Sequence, residues 1–371
     1  MSYLKIICDS ADSVATAYAY TKPGVLVAMK AAALHGHHQI RVQDLPVPSV
    51  RPDDALVRVK SVGICGSDLH YWRIGAIGDL IIKEPLVLGH ELSGQIVDMG
   101  RSVSHLSVGD RVVVEPSAPC GRCRFCRAGR YNLCPEKRFM GDPPNNGAFA
   151  EYVTWPAAFA YRMPAEMTFD EGALVEPLSI GTYATGRAHI TPGDKVLIMG
   201  AGPVGLMTLI AAVTHGATEI YVVDVFDWRL EKAKEFGATT TINAKNEDVT
   251  EKIRELTKGE YVDVTMETSG SPAAAAQSVK VTRRGGTIAL VGLYDSAEFQ
   301  YPLLDVLMKE ISVVGSYDGA HSFPASLQIM ASRKFDAKKM ITHHLPLDQI
   351  ETGFKIMEEK KEHVLKIQVH P

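Results

Sequence analysis

Lys195-Val-Leu-Ile-Met-Gly-Ala-Gly-Pro-Val-Gly205 runs from an apolar strand pattern into a glycine turn, and Leu206-Met-Thr-Leu-Ile-Ala-Ala-Val213 continues it with helical spacing. A strand, a tight turn and a helix start bring backbone N–H groups and the positive end of a helix dipole together, which makes a seat for a pyrophosphate. Gly200 permits the turn, Gly202 lets the backbone approach the phosphates, and Gly205 lets the helix pack close on the strand. A second apolar run, Glu219-Ile-Tyr-Val-Val223, ends at Asp224, 19 residues past Gly205. A carboxylate there accepts hydrogen bonds from a ribose 2′-hydroxyl and repels a 2′-phosphate, so the expected cofactor is NAD and not NADP.

Working outward, six apolar runs are separated by helix-length segments: Val196–Met199, Ile220–Val223, Thr240–Ile242, Val262–Met266, Thr287–Val291 and Ile311–Val314. That alternation predicts a doubly wound parallel sheet. From Met29 to about Pro164 the pattern differs. Short strands such as Ala55–Val59, Leu92–Met99 and Arg111–Val114 are broken by Gly, Pro and Asp, which predicts a β-rich barrel or sandwich. Helical spacing begins at Phe169, with Ala173, Leu174 and Leu178 able to share its face. The segments after Gly315 are too few to form a domain and are expected to rejoin the first. The α/β chain is thus divided into an extension (1–28), a β-rich catalytic domain (29–181), a dinucleotide-binding domain (182–317) and a C-terminal segment completing the catalytic domain (318–371).

With 371 residues, 46% hydrophobic and 22% charged, the chain has enough material for two cores. A net charge of −4 and a pI near 6.4 give no sign of a nucleic-acid or membrane-surface partner. No apolar run approaches the ~20 residues that span a bilayer. Residues 1–28 carry Asp9, Asp12 and a single basic residue, Lys5, and show neither a signal-peptide nor a mitochondrial pattern, so a cytoplasmic location is expected.

Four of the six cysteines fall within one short loop, Cys120-x2-Cys123-x2-Cys126-x7-Cys134. Four thiolates on a short loop suit tetrahedral Zn²⁺ and leave no position for substrate, which marks a structural zinc. Arg122, Arg124, Arg127 and Arg130 surround it with positive charge. A second constellation is dispersed over Gly63-Ile-Cys65-Gly-Ser67-Asp-Leu-His70, Gly89-His90-Glu91 and Glu176-Pro-Leu178. Cys65, His90 and a carboxylate make a mixed S/N/O set that leaves a coordination position open on Zn²⁺. A Lewis-acidic ion there lowers the pKa of an alcohol, so that hydride can pass from its carbon to a nicotinamide and a ketone forms. Ser67, His70 and Glu176 are candidates to carry the alcohol proton out.

Taken together, and in this order, these motifs resemble the zinc-dependent medium-chain alcohol dehydrogenase family, from about Met29 to Pro371. Within it they are most similar to the sorbitol and xylitol (polyol) dehydrogenases, through His70-Tyr-Trp72, Ile77–Pro85, Pro143-Pro144 with Gly147, and Glu171–Ser179. The resemblance implies a GroES-like catalytic domain beside a Rossmann domain, with Cys65 and His90 as metal ligands. Either Glu91 or Glu176 then supplies the carboxylate. It also implies a substrate contact at Tyr71, cofactor contacts at Pro203, Val204, Arg229, Val291, Gly292 and Leu293, and a homotetramer or homodimer. One position departs from that branch. Gly315-Ser-Tyr-Asp318-Gly319 carries an aspartate where relatives place an arginine against the polyol. Asp accepts hydrogen bonds where Arg donates them, so the recognised hydroxyl pattern is expected to differ. The expected activity is NAD-dependent oxidation of a secondary hydroxyl of a polyol. A small diol (a tetritol or 2,3-butanediol) or threonine is the alternative within this class. A protein that keeps NAD and zinc without turnover is the alternative outside it.

Overall fold

The computed structural model describes residues 28–296, 298–360 and 363–371; all but the last residue of the expected extension lies outside them. Two large sheets organise the chain. The first has seven strands and orders them Ala160–Arg162, Arg111–Val114, Glu91–Met99, Asp54–Gly63, Lys366–His370 and Ile341–Pro346, with Tyr152–Pro156 also on Asp54–Gly63. The strand Asp54–Gly63 is the hub. Its buried pattern is nearly continuous, as expected for a strand covered on both faces. Antiparallel pairing of Val369 with Val62 and of Gln368 with Gly63 brings the C-terminal strand into this sheet, beside residues read at the start of the chain.

The second sheet is parallel and six-stranded, in the order Thr240–Asn243, Glu219–Asp224, Lys195–Met199, Val262–Glu267, Thr282–Leu290 and Ser312–Gly315. All six sequence-predicted runs are in it. The order reverses direction at Lys195–Met199 and Val262–Glu267, and the glycine turn lies at the carboxyl end of the former, where such sheets bind ligands. Gly200 has φ +107°, a region that favours glycine. A Cβ on Gly205 would stand 1.9 Å from the Gly200 carbonyl oxygen, so the close helix–strand approach requires its absence.

Two helices join the sheets. Phe169–Ala173 starts at a Thr168–Glu171 capping box and leads through Leu174 into Val175–Arg187. That second helix packs on Pro203–Thr214, and a Cβ on Gly181 would meet the backbone of Met207 and Thr208 at 2.8 Å. The contact places Glu176, in the first turn of the helix, at the seam between the sheets. Beneath the first sheet Trp72, Phe149 and Phe354 are fully buried together. Each such side chain is worth about 1.5–3 kcal/mol of transfer free energy.

Candidate active site

Cys65 is the N-cap of the helix Gly66–Ile74, whose third residue, Asp68, closes a capping box. Asp68 does more than cap. One carboxylate oxygen accepts from the Cys65 N–H at 2.9 Å and the other from the Gly89 N–H at 3.0 Å, which ties together the two segments carrying Cys65 and His90. The second oxygen also faces His90 Nδ1 at 3.6 Å. Burial would push the His90 imidazole down, but Asp68 and Cys65 outweigh it and hold its pKa well above the usual value. A carboxylate behind one ring nitrogen, with the other turned toward a thiol, is the arrangement that orients a metal-binding histidine.

Donor atoms of Cys65, His90 and Glu91 lie within 4.8 Å of one another, so sulfur, nitrogen and oxygen converge as a zinc ion requires. Glu91 is nevertheless committed elsewhere. The buried Lys366 Nζ sits 2.7 Å from both of its carboxylate oxygens and also donates to the Ile64 carbonyl at 3.2 Å. Gly63 makes room for this pair, because a Cβ there would stand 2.1 Å from Glu91 Oε2. Glu176 faces the same centre without such a clamp; burial pushes its pKa up to about 8 against the pull of His90.

Cys65, His90, Glu91 and Glu176 line one cavity of about 400 Å³. Ser67, His70 and Tyr71 also border it, and so does Asp318. On its far wall are Val204, Val291, Gly292 and Leu293, all from the parallel-sheet half. His70 Nδ1 is 3.3 Å from Asp295. Tyr71 is buried and donates its hydroxyl to Asp142 at 3.1 Å. Asp318, at φ +55°, accepts from Ser117 and from the buried Lys137 Nζ at 2.6 Å through a single oxygen. Asp318, which borders the cavity, is thus paired with a cation that comes from another loop.

A second cavity of about 470 Å³ adjoins the first and shares Thr268 and Ser269 with it. Gly200, Gly202, Asp224 and Arg229 line it. Asp224 accepts from the Ala201 N–H at 2.8 Å through one oxygen, and from the Val225 and Phe226 N–H groups through the other. It therefore braces the turn as well as facing the cleft. Arg229 stands 3.9 Å from Asp224, with its Nε buried and unpartnered. Pro203 is the first residue of the helix above the turn.

The four-cysteine loop closes on itself. Cys123 Sγ is 3.4 Å from Cys126 Sγ, and Cys120 Sγ is 4.0 Å from it. Sulfurs about 2.3 Å from a common tetrahedral centre stand about 3.8 Å apart. Backbone N–H groups of Arg122 and Cys123 push the Cys120 thiol down to about 7, whereas burial and neighbouring thiols push Cys126 up to about 12. Four sulfurs this close cannot all ionise unless a cation joins them. Arg122 pairs with Glu136, and Arg124 lies over the Phe125 ring.

Three residues of the site escaped the sequence reading: Asp68 as the histidine's partner, Lys137 and Lys366. Lys366 had a signal, a cation between Leu365 and Ile367 in an apolar run, where a buried charge demands a partner.

Residues 51–165 match the alcohol dehydrogenase GroES-like domain, and residues 203–332 match the zinc-binding dehydrogenase domain. Sorbitol dehydrogenase of Bacillus subtilis is 41% identical over 343 residues, covering 92% of this chain and 97% of its own. Among solved structures, L-idonate 5-dehydrogenase from Escherichia coli superposes with a TM-score of 0.87 at 30% identity, over 93% of this chain and 99% of that one. The 2R,3R-butanediol dehydrogenase of Bacillus subtilis does so with a TM-score of 0.83 at 35% identity, over 92% and 99%.

Proposed function

The chain belongs to the zinc-dependent medium-chain alcohol dehydrogenase family, and from that premise we propose that it oxidises a secondary hydroxyl of a neutral polyol with NAD⁺ as hydride acceptor. One observation carries this reading: Cys65, His90 and Glu176 share a cavity with Val204 and Val291–Leu293 from the dinucleotide-binding half, so metal ligands and nicotinamide contacts meet across one space. Zinc supplies Lewis acidity when bound, and the nicotinamide accepts the hydride.

The chain's own residues do the rest. Cys65 and His90 hold the ion, with Asp68 fixing the imidazole. Glu91, whose oxygen converges with the Cys65 and His90 donors, or Glu176, which borders the same cavity, would supply the carboxylate, and Glu176 is also placed to accept the alcohol proton. Ser67 and His70 pass the alcohol proton toward Asp295, which is exposed at the cavity mouth. Gly200, Gly202 and Gly205 seat the pyrophosphate, and Asp224 favours NAD. The cysteine loop holds a second, structural zinc. Thiolate zinc sites fit a reducing compartment, which supports a cytoplasmic location.

The same reading includes self-association. Ser312–Gly315 is the outer strand of the parallel sheet, and the preceding helix Leu303–Lys309 presents Leu303, Leu304 and Leu307, each 70% exposed. An open strand edge beside an apolar helix favours pairing with a second copy as a dimer, on which a tetramer can be built. Sedimentation equilibrium of Leu304→Glu/Leu307→Glu tests this; an unchanged mass rejects it.

A steady-state screen of polyols, small diols and threonine with NAD and NADP, following absorbance of the reduced cofactor, tests the activity. The 2R,3R-butanediol relative makes small diols the main competing substrates. NADH formation with polyols is the expected result. Cofactor binding without turnover on any of them sinks the enzyme reading.

A further inference from the structure

We infer that Asp170, His344 and His370 form a third metal site, away from both cysteine-containing centres, suited to a divalent transition-metal ion such as nickel or zinc. Their donor atoms lie within 4.8 Å of one another. Asp170 is the second residue of the helix Phe169–Ala173, His344 lies on the outer strand Ile341–Pro346, and His370 ends the neighbouring strand Lys366–His370. The parallel pairing of His344 with Gln368 brings the two histidines side by side, their rings stacked 5.4 Å apart and 20° from parallel.

One distance is that of a proton-bridged pair, which an incoming ion would open, and the other is that of two ligand atoms. His370 Nε2 is 2.8 Å from Asp170 Oδ1, a hydrogen bond. His344 Nδ1 is 3.5 Å from Asp170 Oδ2, too long for a good one. It matches the roughly 3.4 Å between two atoms that each stand about 2.1 Å from a tetrahedral ion. Two imidazoles converging on one carboxylate, with no thiolate, suit zinc, nickel or copper, and the half-exposed His344 leaves water access to the remaining positions.

The carboxylate is braced from behind. Ser61 Oγ is 2.6 Å from Asp170 Oδ1 and 3.0 Å from the Gln368 side-chain oxygen, and both Ser61 and Gln368 are fully buried. A hydroxyl has one proton to give. If it goes to Asp170, Gln368 must present its NH₂ to Ser61, which also gives the otherwise orphaned Gln368 Nε2 a partner. The chain Gln368–Ser61–Asp170 then fixes the carboxylate as outer-shell groups fix metal ligands. An ion held here would join position 170 to 344 and 370 and clamp the C-terminal strands to the helix, so it binds the folded state and stabilises it.

The test uses untagged protein adjusted to two zinc ions per chain, which leaves the third site free. Nickel is added, free metal is removed, and nickel and zinc are counted in the same sample. The expected result is one nickel per chain with zinc retained, a higher unfolding temperature, and an at least tenfold loss of nickel affinity in His344→Ala. That residue is exposed, so its variant keeps the fold; His370→Ala is the second variant. Nickel taken up only in exchange for zinc, no extra equivalent, or unchanged uptake in His344→Ala overturns the site. Dehydrogenase activity is not the readout, so the outcome is independent of the proposed reaction.

Discussion

Lys366 Nζ lies 2.7 Å from both carboxylate oxygens of Glu91, although 275 residues separate the two in the chain. Both are almost completely buried. Burial alone would push the Lys366 ammonium down, yet Glu91, Cys65 and Glu176 outweigh it and hold the group charged. Removing one partner of such a pair leaves an uncompensated buried charge, at a cost of about 3–5 kcal/mol. Lys366→Met is therefore expected to lose that much in urea unfolding of the zinc-loaded protein, and Lys366→Met/Glu91→Leu to lose less than the sum of its single changes. A loss below about 1 kcal/mol in Lys366→Met would show that Glu91 does not depend on Lys366.

That pair also marks where sequence reading stops. The glycine turn, the six parallel runs and the cysteine loop were legible because each signal is local: a tight turn, an alternation of period, a few residues around one ion. Cys65, His90 and Glu176 carry a signal only in combination, since each alone is an ordinary residue, and the family resemblance sharpens it. Lys366, Lys137 and the partnership of Asp68 with His90 depend on which strands and loops meet. The antiparallel register of Val369 on Val62, which sets Lys366 beside Glu91, is written in no short stretch. At position 318 the departure from the branch is visible in the sequence, whereas the pairing of Asp318 with Lys137 depends on which loops meet.

The cysteine loop predicts a separable metal. Cys123→Ser removes one of four sulfurs and the acceptor of the Cys126 N–H. Metal analysis is expected to fall from two zinc ions per chain to one, with thermal unfolding at lower temperature, because a structural zinc contributes folding free energy directly. Two zinc ions retained in the variant would remove the structural-zinc assignment.

Substrate charge is predicted by the cavity lining. Glu91, Asp142, Glu176, Asp295 and Asp318 border it, against Arg73 as the guanidinium. Lys366 and Lys137 are already paired with Glu91 and Asp318. Zinc with the Cys65 thiolate leaves about +1 at the metal, so the repulsion acts on an anionic group held away from it; there, at about 5 Å and an effective dielectric near 20, one ionised carboxylate repels it by about 3 kcal/mol. Neutral polyols are thus expected to exceed their phosphates and the corresponding sugar acids by roughly 100-fold in kcat/KM. Asp318→Asn releases Lys137 and should narrow that ratio. An equal preference for anionic substrates in the unsubstituted protein contradicts the charge argument.

A pH dependence follows from Glu115, which is buried where Tyr131 and Tyr161 donate their hydroxyls to it. Burial pushes its pKa up to about 7, more than the two tyrosines pull it back, and the nearby Asp318 adds to the rise. In the unfolded chain an ordinary glutamate titrates near 4.3. Below that value the carboxyl is protonated in both states and its contribution to stability is complete. As pH rises, the unfolded chain releases its proton first, so stability falls until the folded group also ionises near 7 and the curve flattens. The slope is about 1.4 kcal/mol per pH unit, or roughly 4 kcal/mol across the window. Glu115→Gln cannot titrate, so this component disappears, while zinc ligands and other carboxylates change alike in both proteins. Urea unfolding of the two at a series of pH values between about 5 and 8 should give a stability difference that shifts in favour of the variant as pH rises and levels off above 7. Parallel curves would mean that Glu115 titrates as an ordinary glutamate in spite of its burial.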